Sequence, residues 1–164
     1  MWYNYSTMNS QFDDFIKVLG AFEKENLEYV LIGGVAVTFH GLERFTRDLD
    51  IFIKMTPKNV DSLKKALKTV FNDPSIEEIT FNEIEKYPVI RYGTPSNFYI
   101  CIIGKLGEFA EFQNIACEVI EFKGVKIKVA TPETLYELKK NTYRDRDKAD
   151  LVFLEELIKF REKQ

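Results

Sequence analysis

Apolar residues near the start of the chain recur at three- and four-residue intervals. Phe12, Phe15, Ile16, Leu19 and Phe22 define one face of an amphipathic helix over about Gln11 to Glu23. The period then changes. Tyr29, Val30, Leu31 and Ile32 form a short, continuous, β-prone run that stops at Gly33 and Gly34, which predicts a buried strand and a tight turn. Val35 to His40 reads as a short helix entered directly from those glycines, with Gly41 placed to end it in the left-handed conformation. Alternation from Asp48 to Lys54 predicts a second strand, with Leu49, Ile51 and Ile53 on one face and Asp48, Asp50 and Phe52 on the other. Thr56 and Pro57 carry the N-cap and first-turn signature of a helix whose apolar stripe is Val60, Leu63, Leu67 and Val70 and which ends near Phe71.

Beyond Ile76 the pattern shifts to short strands: Glu78 to Phe81, Val89 to Tyr92, Phe98 to Ile103, Cys117 to Phe122 and Val125 to Val129. Lys123 and Gly124 join the last two as a hairpin. Gly93 to Asn97 reads as a turn, and Gly104 to Asn114 as a loop or short helix. Thr131 and Pro132 open a helix through Leu135 and Leu138, and a last helix runs from about Asp147 through Leu151, Leu154 and Ile158.

Composition narrows the chemistry. The chain has 164 residues, 45% hydrophobic and 30% charged, with 14 Phe and 8 Tyr, enough to fill a core and consistent with one domain over residues 1–164. Nothing approaches the roughly 20 apolar residues that cross a bilayer, and Met1 to Ser10 lacks the features of a signal peptide, so a cytoplasmic protein with no membrane partner is expected. Cys101, Cys117 and the single His40 are too few for a disulfide framework or a Cys/His zinc site, which leaves oxygen as the main ligand for any metal. Lys plus Arg total 23 against 26 Asp plus Glu, a net charge of −3 that argues against non-specific grip on nucleic acid while leaving room for a local basic patch.

The sharpest chemical signal is Asp48-Leu49-Asp50. Alternate residues of a strand project from one face, and two carboxylates about 5 Å apart repel by roughly 3 kcal/mol at an effective dielectric near 20, so a cation belongs between them. Magnesium suits the setting, because it takes one or two carboxylates and completes its octahedron with phosphate oxygens and water. Alone, the pair also describes two aspartates at an exposed strand end. Gly33 and Gly34 add weight, since exposed N–H groups between a strand and a helix favour a phosphate. They lack the spacing of a dinucleotide fingerprint, and no glycine-rich loop ends in Gly-Lys-Ser/Thr.

The series Val30-Leu31-Ile32-Gly33-Gly34-Val35-Ala36-Val37, His40-Gly41, Arg44, Thr46 and Asp48-Leu49-Asp50-Ile51 resembles the signature of the nucleotidyltransferase-fold, DNA polymerase β-like superfamily. Near the C-terminus, Leu135, Leu138-Lys139, Arg144, Asp147 and Asp150 resemble the Lys, Arg, Asp, Asp series of the small bacterial AbiEii-like nucleotidyltransferases. The resemblance implies an α+β fold, a mixed and mostly antiparallel sheet with packed helices. It implies transfer of a nucleoside monophosphate from a nucleoside triphosphate to an unidentified hydroxyl on a small molecule, protein or RNA. Asp48 and Asp50 would hold magnesium or manganese, and Gly33 and Gly34 would contact the triphosphate, with Arg44 and Thr46 beside them. Lys139 would bind phosphate, and Asp147 would support the site or orient Lys139. Such transfer depends on charge neutralisation and positioning more than on covalent help from the protein.

One departure stands out. Many members place a third carboxylate on a later strand, and the corresponding segment here, Phe98 to Ile103, contains none. Cys101 is the residue expected at that position, and a thiol is a poor magnesium ligand. Glu83, Glu85, Glu108 or Asp147 could substitute. Otherwise the chain is a nucleotide-binding or partner-binding protein with slow or absent turnover.

Four further groups carry two readings each. His40 could touch substrate, but a helix cap or packed side chain is the simpler role. Arg44 and Arg47 could contact phosphates or offset the aspartates. Lys139, Lys140, Arg144, Arg146 and Lys148 could meet a polyanion, but the interleaved Asp145, Asp147 and Asp150 favour a salt-bridged helix junction for all but Lys139. Tyr87, Tyr92, Phe98 and Tyr99 could stack a base or simply fill and edge the sheet.

Overall fold

The computed structural model describes residues 2–107, 111–142 and 144–164. In chain order the elements are α1 (Trp2–Lys24), β1 (Tyr29–Ile32), α2 (Gly33–Phe39), β2 (Asp48–Ile53), α3 (Pro57–Val70), α4 (Phe81–Lys86), β3 (Ile90–Gly93), β4 (Tyr99–Ile103), β5 (Cys117–Phe122), β6 (Val125–Ala130), α5 (Pro132–Lys139) and α6 (Asp145–Glu162). Single 3₁₀ turns occur at Pro74–Glu78 and Phe112–Asn114. The strands make one six-stranded sheet in the order β3-β4-β2-β1-β6-β5. The β1/β2, β3/β4 and β5/β6 pairs are antiparallel, and β2/β4 and β1/β6 are parallel. This is the mixed, mostly antiparallel α+β arrangement that the sequence resemblance implies.

The central strands explain themselves by burial. Every residue of β1 is buried, and in β2 Leu49, Ile51 and Ile53 are wholly enclosed. Helix α1 packs against α3 and β6, and its Phe15 meets the ring of Phe98 edge-on at 4.9 Å. Phe52 departs from the expected alternation. It shares a face with the acids yet is buried, because Phe112 lies over it with ring centroids 5.5 Å apart. Two predicted caps form: Thr56 Oγ1 accepts from Asn59 N–H, and Thr131 Oγ1 accepts from Thr134 N–H. The β5–β6 hairpin turns through Lys123 and Gly124, both at positive φ, as a two-residue primed turn requires.

The strand expected over Glu78 to Phe81 does not form. Thr80 Oγ1 instead accepts from Glu83 N–H, which caps α4, and Ile76, Ile79 and Ile84 turn inward. The β-prone run is a helix cap, flanked by isoleucines that reach the core from the 3₁₀ turn and from α4. Helix α1 also begins far earlier than Gln11, and α6 begins at Asp145 rather than Asp147. Helix α2 starts at Gly33 itself, so the glycines form its first turn.

Candidate active site

Strand β1 ends in a turn that only glycine serves. Gly33 has φ of +75°, a conformation costly for any residue with a Cβ, and a Cβ there would lie 2.9 Å from Asp50 Cγ and closer still to Oδ2. The Asp50 carboxylate therefore rests on the bare face of the turn. Ile32, at the N-cap of α2, makes no side-chain cap hydrogen bond, so no cap side chain takes up the first N–H groups of that helix. Gly34 is bare for a different neighbour, because a Cβ there would sit 3.3 Å from Arg44 Cζ and 3.4 Å from Thr46 Oγ1.

Asp48 and Asp50 project from one face of β2, as the alternation predicts. Burial pushes the Asp50 carboxyl up, with the Asp48 charge adding to the rise, while a hydrogen bond from Cys101 and the charges of Lys139 and Arg144 oppose it. Arg91 stands beside Asp48: its Nη2 is 3.4 Å from Asp48 Oδ1, and the guanidinium lies 3.8 Å above the Tyr99 ring. The paired β2 and β4 strands place Cys101 directly opposite Asp50. Burial raises the Cys101 thiol to about 12, with the Asp50 charge second, so at neutral pH it is a protonated donor and not a thiolate.

The opposite wall is a rack of cations held by acids. Lys139, at the end of α5, is buried with Nζ 3.0 Å from both Asp147 Oδ1 and Asp150 Oδ2. Asp147 also accepts from Thr142 Oγ1 at 2.7 Å and from Arg144 Nε at 2.9 Å. Burial alone would raise the Asp147 carboxyl, but the hydrogen bonds from Thr142 and Lys139 and the nearby Lys139 and Arg144 charges outweigh it and bring it down to about 2. Asp150 receives Arg44 Nη1 on the same oxygen that faces Lys139. Asp147 and Asp150 lie three residues apart on α6, one helical turn, which points both carboxylates at α5.

A cavity of about 380 Å³ opens between the walls, lined by Gly33, Gly34, Arg44, Thr46, Asp48, Asp50, Lys139 and Asp147, together with Cys101, Thr142, Arg144 and an apolar shelf of Val89, Leu106 and Leu138. All eight residues singled out from the sequence thus meet in one place. Glu83 faces a separate cleft with Ser75 and Thr80, Glu85 sits on α4 away from this lining, and Glu108 lies outside the described residues. Asp147 is committed to its three donors. Among the described residues no group of three His, Cys, Asp or Glu side chains is arranged to hold a metal. The donor set is two carboxylates, one of them lacking a directly paired cation, which suits a hard divalent ion that draws its other ligands from phosphate and water.

The structure decides between the readings left open by the sequence, and corrects some of them. Arg44 does not offset the aspartates of β2; it pairs with Asp150, and Arg91 is the residue beside Asp48. Arg47 stands over the exposed Phe45 ring, outside this cavity. Lys139 is no exception to the salt-bridged junction but a buried member of it, and Lys140 and Lys148 pair with Glu137 and Asp145. His40 is packed, its Nε2 2.8 Å from Ala130 O at the C-cap of α2. Phe98 is core, and Tyr92 donates to Asp73 Oδ2 at 2.7 Å. Asp150 entered the sequence reading only as a member of the C-terminal series, with no role, and Arg91 not at all. The i, i+3 spacing of Asp147 and Asp150 could have flagged the first, whereas Arg91 is brought to Asp48 only by strand order.

Comparison with known proteins follows this geometry. A family model described as "Nucleotidyl transferase AbiEii toxin, Type IV TA system" matches residues 17–149. The crystal structure of the lincosamide antibiotic adenylyltransferase LnuA, solved with lincomycin bound, superposes with a TM-score of 0.56 at 18% identity, over 87% of this chain and 95% of that one. An antigenic nucleotidyltransferase-like protein from Paracoccidioides brasiliensis gives 0.56 at 15% identity, over 88% and 75%. The antibiotic-resistance factor ANT(2'')-Ia gives 0.51 at 12% identity, over 90% and 83%. At these identities the likeness concerns the fold. A sequence comparison with curated proteins finds no match.

Proposed function

The chain belongs to the nucleotidyl transferase AbiEii toxin family, and from that premise we propose that it is a metal-dependent nucleotidyltransferase acting as one domain over residues 1–164 in the cytoplasm. It moves a nucleoside monophosphate from a nucleoside triphosphate to a hydroxyl on a small molecule, a protein or RNA. The single observation that carries the reading is the meeting, in one cavity, of a bare glycine turn, two strand-borne aspartates and a buried lysine.

Each group has a part that its chemistry supports. Gly33 and Gly34 leave the start of α2 open, so the triphosphate can approach backbone N–H groups without a side chain in the way. Lys139, Arg44 and Thr46 supply donors to phosphate oxygens, and Asp147 holds Lys139 in place. Asp48 and Asp50 are the residues that would hold magnesium or manganese. When bound, that ion would neutralise phosphate charge and polarise the oxygens at the reacting phosphorus. The transfer itself then depends on alignment of the hydroxyl, the α-phosphate and the leaving pyrophosphate.

Cys101 favours a second reading. A thiol stands opposite Asp50 where many relatives of this fold carry a third acid, which supports a nucleotide-binding or partner-binding protein with weak turnover. One experiment addresses both. Thermal unfolding of the wild type and an Asp48→Asn/Asp50→Asn variant is followed with ATP, GTP, CTP and UTP in magnesium, manganese or chelator. A triphosphate at a hundredfold its Kd stabilises by about 2.7 kcal/mol, a rise of roughly 5 to 10 °C in a chain of this size. A metal-dependent rise that the variant loses supports the site; mass-detected pyrophosphate release then separates transfer from binding. No rise with any triphosphate overturns the transferase and nucleotide-binding readings and favours a partner-binding protein.

A further inference from the structure

Arg44 is held at one end of its guanidinium and lies close to the glycine turn at the other. Nη1 donates to the Asp150 carboxylate, and Nη2 lies against the turn, 3.4 Å from where a Gly34 Cβ would stand. A guanidinium has five N–H donors in a fixed plane, so engaging the Nη1 edge from α6 settles the direction of the edge that faces the glycines. Asp150 is only 1% exposed, and the same oxygen also stands 3.0 Å from Lys139 Nζ. One buried carboxylate thus ties together a cation from the segment before β2 and a cation from α5.

Without that tie Arg44 has another destination. It lines the same cavity as Asp48 and Asp50 and shares a second cleft with Asp48, whose contact with Arg91 is a long one, 3.4 Å to a single carboxylate oxygen. An Arg44–Asp48 pair would add a second guanidinium to a carboxylate that already meets Arg91 and that the proposed site needs for its metal. We infer that Asp150 is a positioning residue for triphosphate recognition: it parks the Arg44 guanidinium against Gly34, aimed at the phosphates and away from Asp48. The inference rests on the nucleotidyltransferase reading above. It goes beyond that reading by assigning phosphate-number selectivity to a residue that does not line the cavity.

The test compares binding of a nucleoside triphosphate, diphosphate and monophosphate by calorimetry, in magnesium, to wild type, Asp150→Asn, Arg44→Gln and the double variant. Wild type should prefer triphosphate to monophosphate. Each single variant should lose about tenfold or more of that preference, as expected for a charge-assisted hydrogen bond, and the double variant should lose no more than Arg44→Gln alone. A purely structural Asp150 would lower the unfolding midpoint and leave the triphosphate-to-monophosphate ratio unchanged, which overturns the inference. Losses that multiply in the double variant also overturn it, since Asp150 would then act apart from Arg44. Should Asp150→Asn not fold, Asp150→Glu, which keeps the charge but shifts it relative to Arg44, takes its place: a loss of the ratio that Arg44→Gln does not deepen sustains the inference, and an unchanged ratio rejects it. Wild type that binds none of the three removes the nucleotidyltransferase reading itself, an outcome distinct from intact binding with an unaltered ratio.

Discussion

Cys101 and Asp50 stand opposite each other in the parallel β2–β4 ladder, and the protonated thiol steadies the carboxylate charge. The contact ranks second to burial among the influences on Asp50 and pulls against it, so the thiol partly relieves a carboxyl that has no directly paired cation among the described residues. Two features of the site follow from this pairing: a protonated neighbour that leaves Asp50 able to bind metal, and the absence of a third acid at that register.

Replacing the thiol with a carboxylate reverses the local balance. In Cys101→Asp three acids crowd together, and at about 5 Å spacing each added repulsion is roughly 3 kcal/mol at an effective dielectric near 20 before relaxation. Urea unfolding in chelator should show the variant less stable than wild type by about 1 to 3 kcal/mol, and magnesium should restore most of the loss. Cys101→Ser should show neither effect. Equal stability of Cys101→Asp and wild type in chelator would mean that the side chain at 101 does not face the acid pair in solution.

Gly33 is the position where backbone and chemistry coincide. Gly33→Ala adds a Cβ at φ +75° and drives it into the Asp50 carboxylate. The backbone conformation alone costs about 1 to 2 kcal/mol. Asp50 must also move, so nucleotide binding should fall by far more than stability. Thermal midpoints and nucleotide titrations on the same sample check this; a variant that loses stability but binds nucleotide as wild type does would separate the turn from the site.

Much of this was legible in the sequence because it was local. Gly33 and Gly34 end an apolar run, Asp48 and Asp50 alternate along a strand, and Thr56 and Thr131 precede prolines. Each of these patterns involves neighbours in the chain. What escaped depended on partners far away. Thr80 looks β-prone until Ile76, Ile79 and Ile84 find a core, and a four-residue run cannot show which period wins. Phe52 looks like a member of the acid face until Phe112 covers it. Arg44 sits beside the aspartates in sequence but pairs with Asp150, 106 residues away, and Arg91 reaches Asp48 only because β3 lies one strand from β2, across β4. Charge partners are set by topology, and a single sequence does not display topology.

Lys139 has a structural role that will confound any activity assay. It is buried between two carboxylates, and truncating it leaves Asp147 with Thr142 and Arg144 and leaves Asp150 with Arg44. Breaking a buried pair from one side costs about 3 to 5 kcal/mol, and these residual partners place Lys139→Met at the low end, about 3 kcal/mol. Chemical unfolding should show that loss. A variant as stable as wild type would mean that the two aspartates already hold each other's charge through Arg44 and Arg144.

Asp147 gives the cluster a signature in acid. Burial would raise its carboxyl, but the donors Thr142 and Lys139 and the neighbouring charges of Lys139 and Arg144 bring it from the ordinary value of 3.8 down to about 2. A carboxyl depressed on folding stabilises the protein fully above its unfolded value, and that stabilisation is lost as pH falls through the folded one. The difference, just under two pH units, is worth about 2 to 3 kcal/mol at neutral pH. Between about pH 4 and pH 2 wild type should therefore lose stability more steeply than Asp147→Asn, which has no proton to take up at this position. At neutral pH the variant should be the weaker of the two, and the gap should shrink as acid is added. Urea midpoints measured from pH 7 downward check both statements. Parallel curves would show that Asp147 titrates as an ordinary surface aspartate, and the Lys139, Thr142 and Arg144 contacts would then be too loose in solution to hold the lysine against the phosphates.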